Sequence, residues 1–425
     1  MPLNITLFLN ILSLELSLCA TVPTQVVLKN EYIYLKDEFQ FSPETIDYTT
    51  TQKRYVSHKR NDFNDLRLEN TYDYYINNLV KSGTTSILRS TQSDSEATWI
   101  YRFLKNEKVM MSELISKSCT ISETIVSGRH LLVVGDSSIF NMNKHRNKIT
   151  DIENRGVIQD GKTKGIYSHV NMTLCPRTYL SDILYWNQSP IKSTRNSRTT
   201  LLENKYSYNW HLGVSNSKTA LKTASRLTYV FDREADSFEL FYHIQEVEKE
   251  NFVIRQSRNR LVNKGERKLK VLDLLKETGK NLGHYQLEID AKNRSDWRDR
   301  TNPKNRIKRT ANMGIRIIRD VELSPTRSSK EGLQPIKLHL LEVKEIDNQK
   351  GNEEIIQWRL WANHPINNLE EALGIVAYYL SRWNIEELFR TVKKKGFNQE
   401  ATQLETTQAI MKQSIMTLLA AYKIM

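Results

Sequence analysis

Apolar positions from Phe63 onward recur with helical spacing. Leu68, Tyr72, Tyr75, Ile76 and Leu79 fall at i, i+4, i+7, i+8 and i+11, and Gly83 ends the stripe. A second helix opens at the Ser93–Ser95 region, where a small hydroxyl side chain suits an N-cap, and it turns Trp99, Ile100, Phe103 and Leu104 inward. Short apolar runs then alternate with helical stretches, the pattern of an α/β domain. Leu131 to Gly135 reads as a buried strand stopping at Asp136, and residues 165–174 and 179–187 as two further strands. A mainly polar helical stretch follows over 199–224. Leu227 to Phe231 is another strand, stopping at Asp232, with a helix running on through Phe238, Leu240 and Phe241. Two acidic residues are thus expected just past the ends of two apolar strands. From about 252 to 362, alternation such as Ile336, Leu338 and Leu340 against Lys337 and His339 predicts an inserted antiparallel sheet. Helices over Leu369–Lys395 and Thr407–Met425 close the chain, whereas residues 1–59 carry no usable periodicity.

Composition narrows the class of partner. A chain of 425 residues is expected to divide into two or three domains. Its 62 Lys and Arg against 49 Asp and Glu give a formal charge of +13, which suits a polyanion such as nucleic acid or an anionic membrane surface, and also serves solubility alone. Cys19, Cys119 and Cys175 stand far apart without a C-x-x-C pair, so neither a zinc knuckle nor a disulfide scaffold is supported and a reducing cytoplasm fits best. The first twenty residues are apolar like a secretory signal, but no Lys or Arg precedes them and Glu15 interrupts the run. They are also short and charged for a membrane span, so no membrane partner is expected. Residues 293–312 form a polar loop with seven Lys or Arg and two Asp, readable as a solvated loop or as a phosphate-contacting arm.

The strongest local signal is YLSRWNIEELFRTVKKKG, in which Tyr379, Arg382, Glu386 and Lys393 are separated by two, three and six residues. At roughly 100° per residue all four share one narrow helical face, which Arg390 joins, while Ile385, Leu388, Phe389 and Val392 face the core. Ordinary i, i+4 ion pairs, Arg382 with Glu386 and Glu386 with Arg390, would account for such a helix. Equally, Glu386 can bind a metal while the cations and the tyrosine hold phosphates around it.

The spacing Y-x2-R-x3-E-x6-K resembles the signature of the insertion sequence four family of bacterial transposases, which includes the transposase of transposon five. Three other segments extend the likeness. VFDREADSFEL around Asp232 is similar to the family's D-R-E-A-D strand end, and LLVVGDSS resembles the strand that delivers the first acid, here Asp136. Between them, Gly156, Ile158, Gln159, Asp160, Gly165 and His169 follow the family's G-x-I-Q-D stretch and its later Gly and His. Ala97, Tyr101, Arg102, Phe103 and Asn106 resemble the helical DNA-binding domain. Trp358, 21 residues before Tyr379, stands where the transposon-five relative places a tryptophan that supports a flipped base. A plain strand aromatic in the sheet core is the other reading of Trp358.

What the resemblance implies is an α/β chain: a ribonuclease-H-like catalytic core with an inserted antiparallel β subdomain and an α-helical N-terminal DNA-binding domain. The expected division is 1–59 unassigned, 60–125 helical DNA-binding, 126–251 with 363–400 catalytic, 252–362 inserted, and 401–425 the start of a C-terminal helical region. Asp136, Asp232 and Glu386 would be the catalytic and metal-binding residues, holding two Mg²⁺ or Mn²⁺ ions for cut-and-paste transposition by nicking, hairpin formation and strand transfer. Tyr379, Arg382, Arg390, Lys393 and Trp358 would bind DNA. Glu234 and Asp236, near Asp232, fall at a helix start in the family pattern. Partners would be double-stranded DNA at inverted-repeat ends, target DNA and a second copy in a synaptic homodimer, acting in the cytoplasm at the nucleoid. Well-studied relatives continue further at the C-terminus. A truncated DNA-binding inhibitor is therefore one rival expectation, and a two-metal nuclease that cuts without joining is another.

Overall fold

In the computed structural model, the residues described are 27–28, 63–118, 126–142, 150, 156–157, 164–174, 181–190, 202, 205, 207–289, 308–325, 332–346 and 355–425. The apolar first twenty residues, the three cysteines, most of the basic 293–312 loop, and Ile158, Gln159 and Asp160 lie outside them. The described strands are β1 (Val27–Leu28), β2 (His130–Asn141), β3 (Gly156–Val157), β4 (Lys164–Leu174), β5 (Ser181–Pro190), β6 (Arg226–Phe231), β7 (Asn251–Arg255), β8 (Leu261–Lys264), β9 (Arg267–Lys270), β10 (Lys280–Ile289), β11 (Arg309–Leu323), β12 (Ile336–Glu345) and β13 (Gln357–Ala362). The α-helices are α1 (Leu66–Ser82), α2 (Ile87–Ser90), α3 (Asp94–Lys105), α4 (Met111–Ser118), α5 (Tyr208–Ala220), α6 (Phe238–Tyr242), α7 (Val271–Thr278), α8 (Leu369–Ser381), α9 (Trp383–Arg390) and α10 (Thr407–Ile424).

The two N-terminal helices form where their end signals place them. Asp65 accepts the Arg67 N–H at the start of α1, and Gly83 closes it in the left-handed region at φ 62°. Ser93 and Glu96 make a reciprocal capping box on α3. Leu68, Tyr72, Tyr75, Ile76 and Leu79 are buried as their spacing requires, and so are Ile100, Phe103 and Leu104. Trp99 is the exception: it is 52% exposed, because a residue adjacent to Ile100 is turned about 100° away from the buried stripe.

One mixed sheet runs through the molecule in the order β1-β10-β11-β12-β13-β7-β6-β2-β4-β3, with β5 on β4 and the β8–β9 hairpin on β11. Its centre is parallel: β2 and β7 flank β6 in the same direction. The block from 252 to 362 is antiparallel largely as expected, yet it continues this sheet through the β13–β7 pairing and contains the helix α7. Strand alternation divides the core in two. Leu132, Val134, Val230 and Val253 face a layer holding α8, α9, α10 and the N-terminal helices. Leu131, Val133, Tyr229, Phe231 and Ile254 face α5, α6 and α7. The helical stretch expected over 199–224 is α5, confined to Tyr208–Ala220.

The helix α10 packs on α1, α3 and α4, so this late segment shares a core with the N-terminal helices. A buried polar network fastens the two. Gln413 donates to the Tyr75 hydroxyl at 2.8 Å and the Thr85 carbonyl at 3.0 Å, and accepts from Thr402 at 2.6 Å. Lys412, fully buried, donates to the Asn106 carbonyl at 2.7 Å. Because Gln413→Leu conserves volume but strands several buried polar groups, it should lower unfolding free energy by about 2–4 kcal/mol, read as a reduced midpoint in chemical denaturation.

Candidate active site

Asp136 and Asp232 meet because of strand register and side-chain parity. Gly135 pairs with Phe231 across the parallel β2–β6 ladder, so the two acids are the next residues on neighbouring strands. Both share the parity of Leu132, Val134 and Val230, and therefore point to the face that carries α8 and α9. The expectation that β2 stops at Asp136 is corrected: the strand runs on to Asn141, because β4 continues to pair with it there. Only the parallel partner ends, and that opens the face above Asp136. Gly135 is needed at this turn of the ladder, since a Cβ there would lie 2.5 Å from Asn171 Oδ1 and 2.6 Å from the Phe231 ring.

The helix expected over 369–395 spans that range, and Arg382 at its interruption keeps helical φ −57° and ψ −23°. The interruption divides it into α8 and α9, and it ends in a π turn over Thr391–Lys395. At the break, the Arg382 fork reaches two elements at once. Nη1 donates to Asp136 Oδ2 at 3.3 Å, and Nη2 pairs with Glu386. Arg382 is thereby part of the carboxylate cluster itself. Burial alone would lower its pKa, but Glu386, Tyr379, Asp136 and Asp232 together hold it above the ordinary range. Asp136 moves the other way from a normal carboxyl. Burial, opposed by Arg382 and the Ser137 N–H and aided by Asp232 and Glu386, leaves it raised to about 7. These mutual effects place the three acids in one electrostatic cluster.

The remaining signature residues are distributed around it. Tyr379 is buried, its ring 6.1 Å from Trp358 and 5.8 Å from the Arg382 guanidinium carbon. Burial pushes the Tyr379 hydroxyl up, against the charges of Arg255 and Arg382. Trp358 is partly buried on β13, against this face of the core. Arg390 pairs with Glu387, not with Glu386, and lies 5.7 Å over the exposed Trp383 ring. Lys393 is 4.0 Å from Glu400 and 5.6 Å over Phe140.

Arg255 was missed by the sequence reading. Its charge acts on Tyr379, and it ends β7, where Phe231 pairs with Ile254, so it stands level with Asp232 on the third parallel strand. Its only sequence signal is a basic residue closing the apolar run FVI.

Two nearby acids and a histidine have structural roles. Asp236 has a fully buried side chain that accepts from the Ser257 N–H at 2.7 Å, the Arg258 N–H at 3.0 Å and Arg260 at 2.6 Å, so it ties down the turn after β7. Glu234 sits in a single 3-10 turn over Arg233–Ala235. His169, on the opposite sheet face from Asp136, bonds Ser137 at 2.8 Å and packs edge-on against Trp210 at 4.5 Å; burial takes its pKa down to about 3.

Residues 217–422 match a family model described as the transposase DDE domain. The match supports a DDE transposase. Asp232 and Glu386 lie inside the matched segment of the transposase domain, while Asp136 is brought to them by the β2–β6 ladder. The mixed α/β architecture with one large sheet is compatible with a ribonuclease-H-like core. Among the described residues no helix is long and apolar enough to cross a membrane.

Transposase DDE domains generally use divalent ions, and the chemistry of the donor set fits them. Three carboxylates supply hard oxygen ligands, and Asp232 Oδ1 is a buried oxygen with no hydrogen-bond partner. The Asp232 side chain does not cap the turn that follows it, which keeps it available. Among the described residues, no group of three His, Cys, Asp or Glu side chains is assembled to hold an ion. The Arg382 guanidinium bridges Asp136 and Glu386.

The raised Asp136 pKa makes a signed prediction. The folded state holds this proton more tightly than an ordinary carboxyl at 3.8, so the stability it contributes is complete below about pH 4 and is lost as pH rises through about 7. In metal-free protein, Asp136→Asn should therefore raise the thermal midpoint over the wild type, with a gap that widens from pH 4 to 7 and is flat above. A shift of about three pKa units bounds the gain near 4 kcal/mol.

Proposed function

We propose that the chain is a cut-and-paste DNA transposase of the Y-R-E-K class in which Asp136, Asp232 and Glu386 hold two Mg²⁺ or Mn²⁺ ions. The observation that carries this reading is the convergence of the three acids from β2, the end of β6 and α9 onto one sheet face, coupled through charge. When bound, such ions supply the positive charge that activates an attacking oxygen and stabilises the leaving one at phosphorus. The protein's part is to fix the carboxylates and the DNA. Asp136 and Asp232 are immobilised by the ladder beneath them, and Glu386 by the buried Ile385, Leu388 and Phe389 on the other side of its helix.

The cations around the acids suit a phosphate backbone. Arg382, Arg390 and Arg255 offer planar forks that engage two phosphate oxygens at once, and Lys393 adds a point charge. Trp358, held beside Tyr379 and only partly buried, offers a ring for a base turned out of the duplex. The reaction order follows the resemblance. Water attacks phosphorus and the 3′ oxygen leaves as a hydroxyl; that hydroxyl attacks the opposite strand, expelling the flanking DNA's 3′ oxygen, to close a hairpin; a second water reopens the hairpin, and the restored 3′-hydroxyl attacks a target phosphodiester, whose own 3′ oxygen leaves. The helical layer of α1, α3 and α4 would recognise the inverted-repeat ends, with two copies pairing the ends in a synaptic homodimer.

The test uses labelled duplex carrying the element's own ends with Mg²⁺ or Mn²⁺. Asp232→Ala and Glu386→Ala should each reduce strand nicking by at least about a hundredfold, near 3 kcal/mol of transition-state stabilisation. Their circular dichroism should stay unchanged. Nicking at the wild-type rate in either variant refutes the triad, and a nick without any joined product would reassign the chain as a nuclease.

A further inference from the structure

Arg382 has two incompatible occupations. Its two terminal nitrogens are engaged by carboxylates from two separate elements, Asp136 on β2 and Glu386 on α9, and its side chain is only 11% exposed. The same fork is the natural phosphate ligand of the signature, and a guanidinium cannot shed its proton to resolve the conflict. An incoming cation would meet this fixed positive charge within a few ångströms, where like charges repel. The Tyr379 ring, 5.8 Å from the guanidinium carbon, gives the side chain an aromatic face to rest on.

We propose that Arg382 is a resident counter-cation: it clamps Asp136 to Glu386 in the DNA-free chain and must transfer to a DNA phosphate before divalent ions can enter. The inference rests on the reading of Asp136, Asp232 and Glu386 as metal ligands. It makes metal loading and DNA binding mutually reinforcing, since whatever frees Arg382 for one favours the other, and linkage requires the two effects to be equal. A chain without DNA would then be held from indiscriminate cutting by its own arginine. Arg382 acts here as a positioning residue, through the two acids it holds.

Mn²⁺ binding to the full chain without DNA, measured by calorimetry, tests the clamp without any reaction. Arg382→Gln should bind Mn²⁺ on the order of tenfold more tightly than the wild type. Arg382→Lys keeps the charge but not the fork, so it should also bind more tightly. Equal or weaker binding by Arg382→Gln overturns the proposal. Tighter binding by the Gln variant with wild-type binding by the Lys variant overturns it too, since general repulsion would then suffice. In the unaltered chain, a duplex oligonucleotide bearing the element's end sequence should tighten Mn²⁺ binding, and an absence of change again counts against the clamp. No Mn²⁺ binding by any of the three proteins removes the metal-ligand reading as well, which separates the two failures.

Discussion

The pairing of β2 with β6 is the constraint on which the site depends. In a parallel ladder with alternating side chains, one register decides which residues stand level and which face each looks toward. With Gly135 opposite Phe231, Asp136 and Asp232 become neighbours on one face. A slip by one residue would send one acid into the opposite layer among Trp210, Val214 and Phe241. The register is held from both sides, by the tight fit of Asn171 and Phe231 against Gly135 and by β4 continuing along β2 past the end of β6. The same ladder sets Arg255 at the level of Asp232, so three neighbouring parallel strands deliver two acids and an arginine at one level.

The sequence showed these strands where burial is two-sided and the apolar run is unbroken. Leu131 to Val134 and Leu227 to Phe231 are buried on both faces, which is why their runs stand out. The extension of β2 through Asp136 was hidden because its pairing there is to β4 alone, and polar residues reappear. The α1 and α3 stripes were legible from spacing and caps. Trp99 is apolar enough to suggest burial, but its helical angle turns it away from the stripe and leaves it exposed. The continuity of the whole sheet was out of reach, since it lies in long-range pairings such as β13 with β7 that no local pattern encodes.

The candidate site was legible unevenly for similar reasons. Glu386 stood out because its neighbours recur on one helical face, and spacing survives even though the helix breaks at Arg382. A break there leaves no trace in composition: no Pro or Gly marks it, and the bridge to Asp136 and Glu386 is formed across 246 positions of chain on one side and four on the other. Helical spacing allows Arg390 to pair with Glu386, yet it takes Glu387, while Glu386 is engaged by Arg382. Ion-pair partners among several acids on one helix depend on what each already holds, which spacing does not specify.

The Gln413–Tyr75 contact carries a consequence for how the molecule comes into being. These two residues lie 338 positions apart in the chain. During synthesis at roughly 5–20 residues per second, the Tyr75 hydroxyl therefore waits tens of seconds for its partner. Throughout that interval the apolar flank of α1 that α10 will cover is bare, and this layer can close only after the sheet between them has been translated. The maturation of the helical layer is thus timed by the ribosome, and a nascent chain has its central strands before that layer is complete.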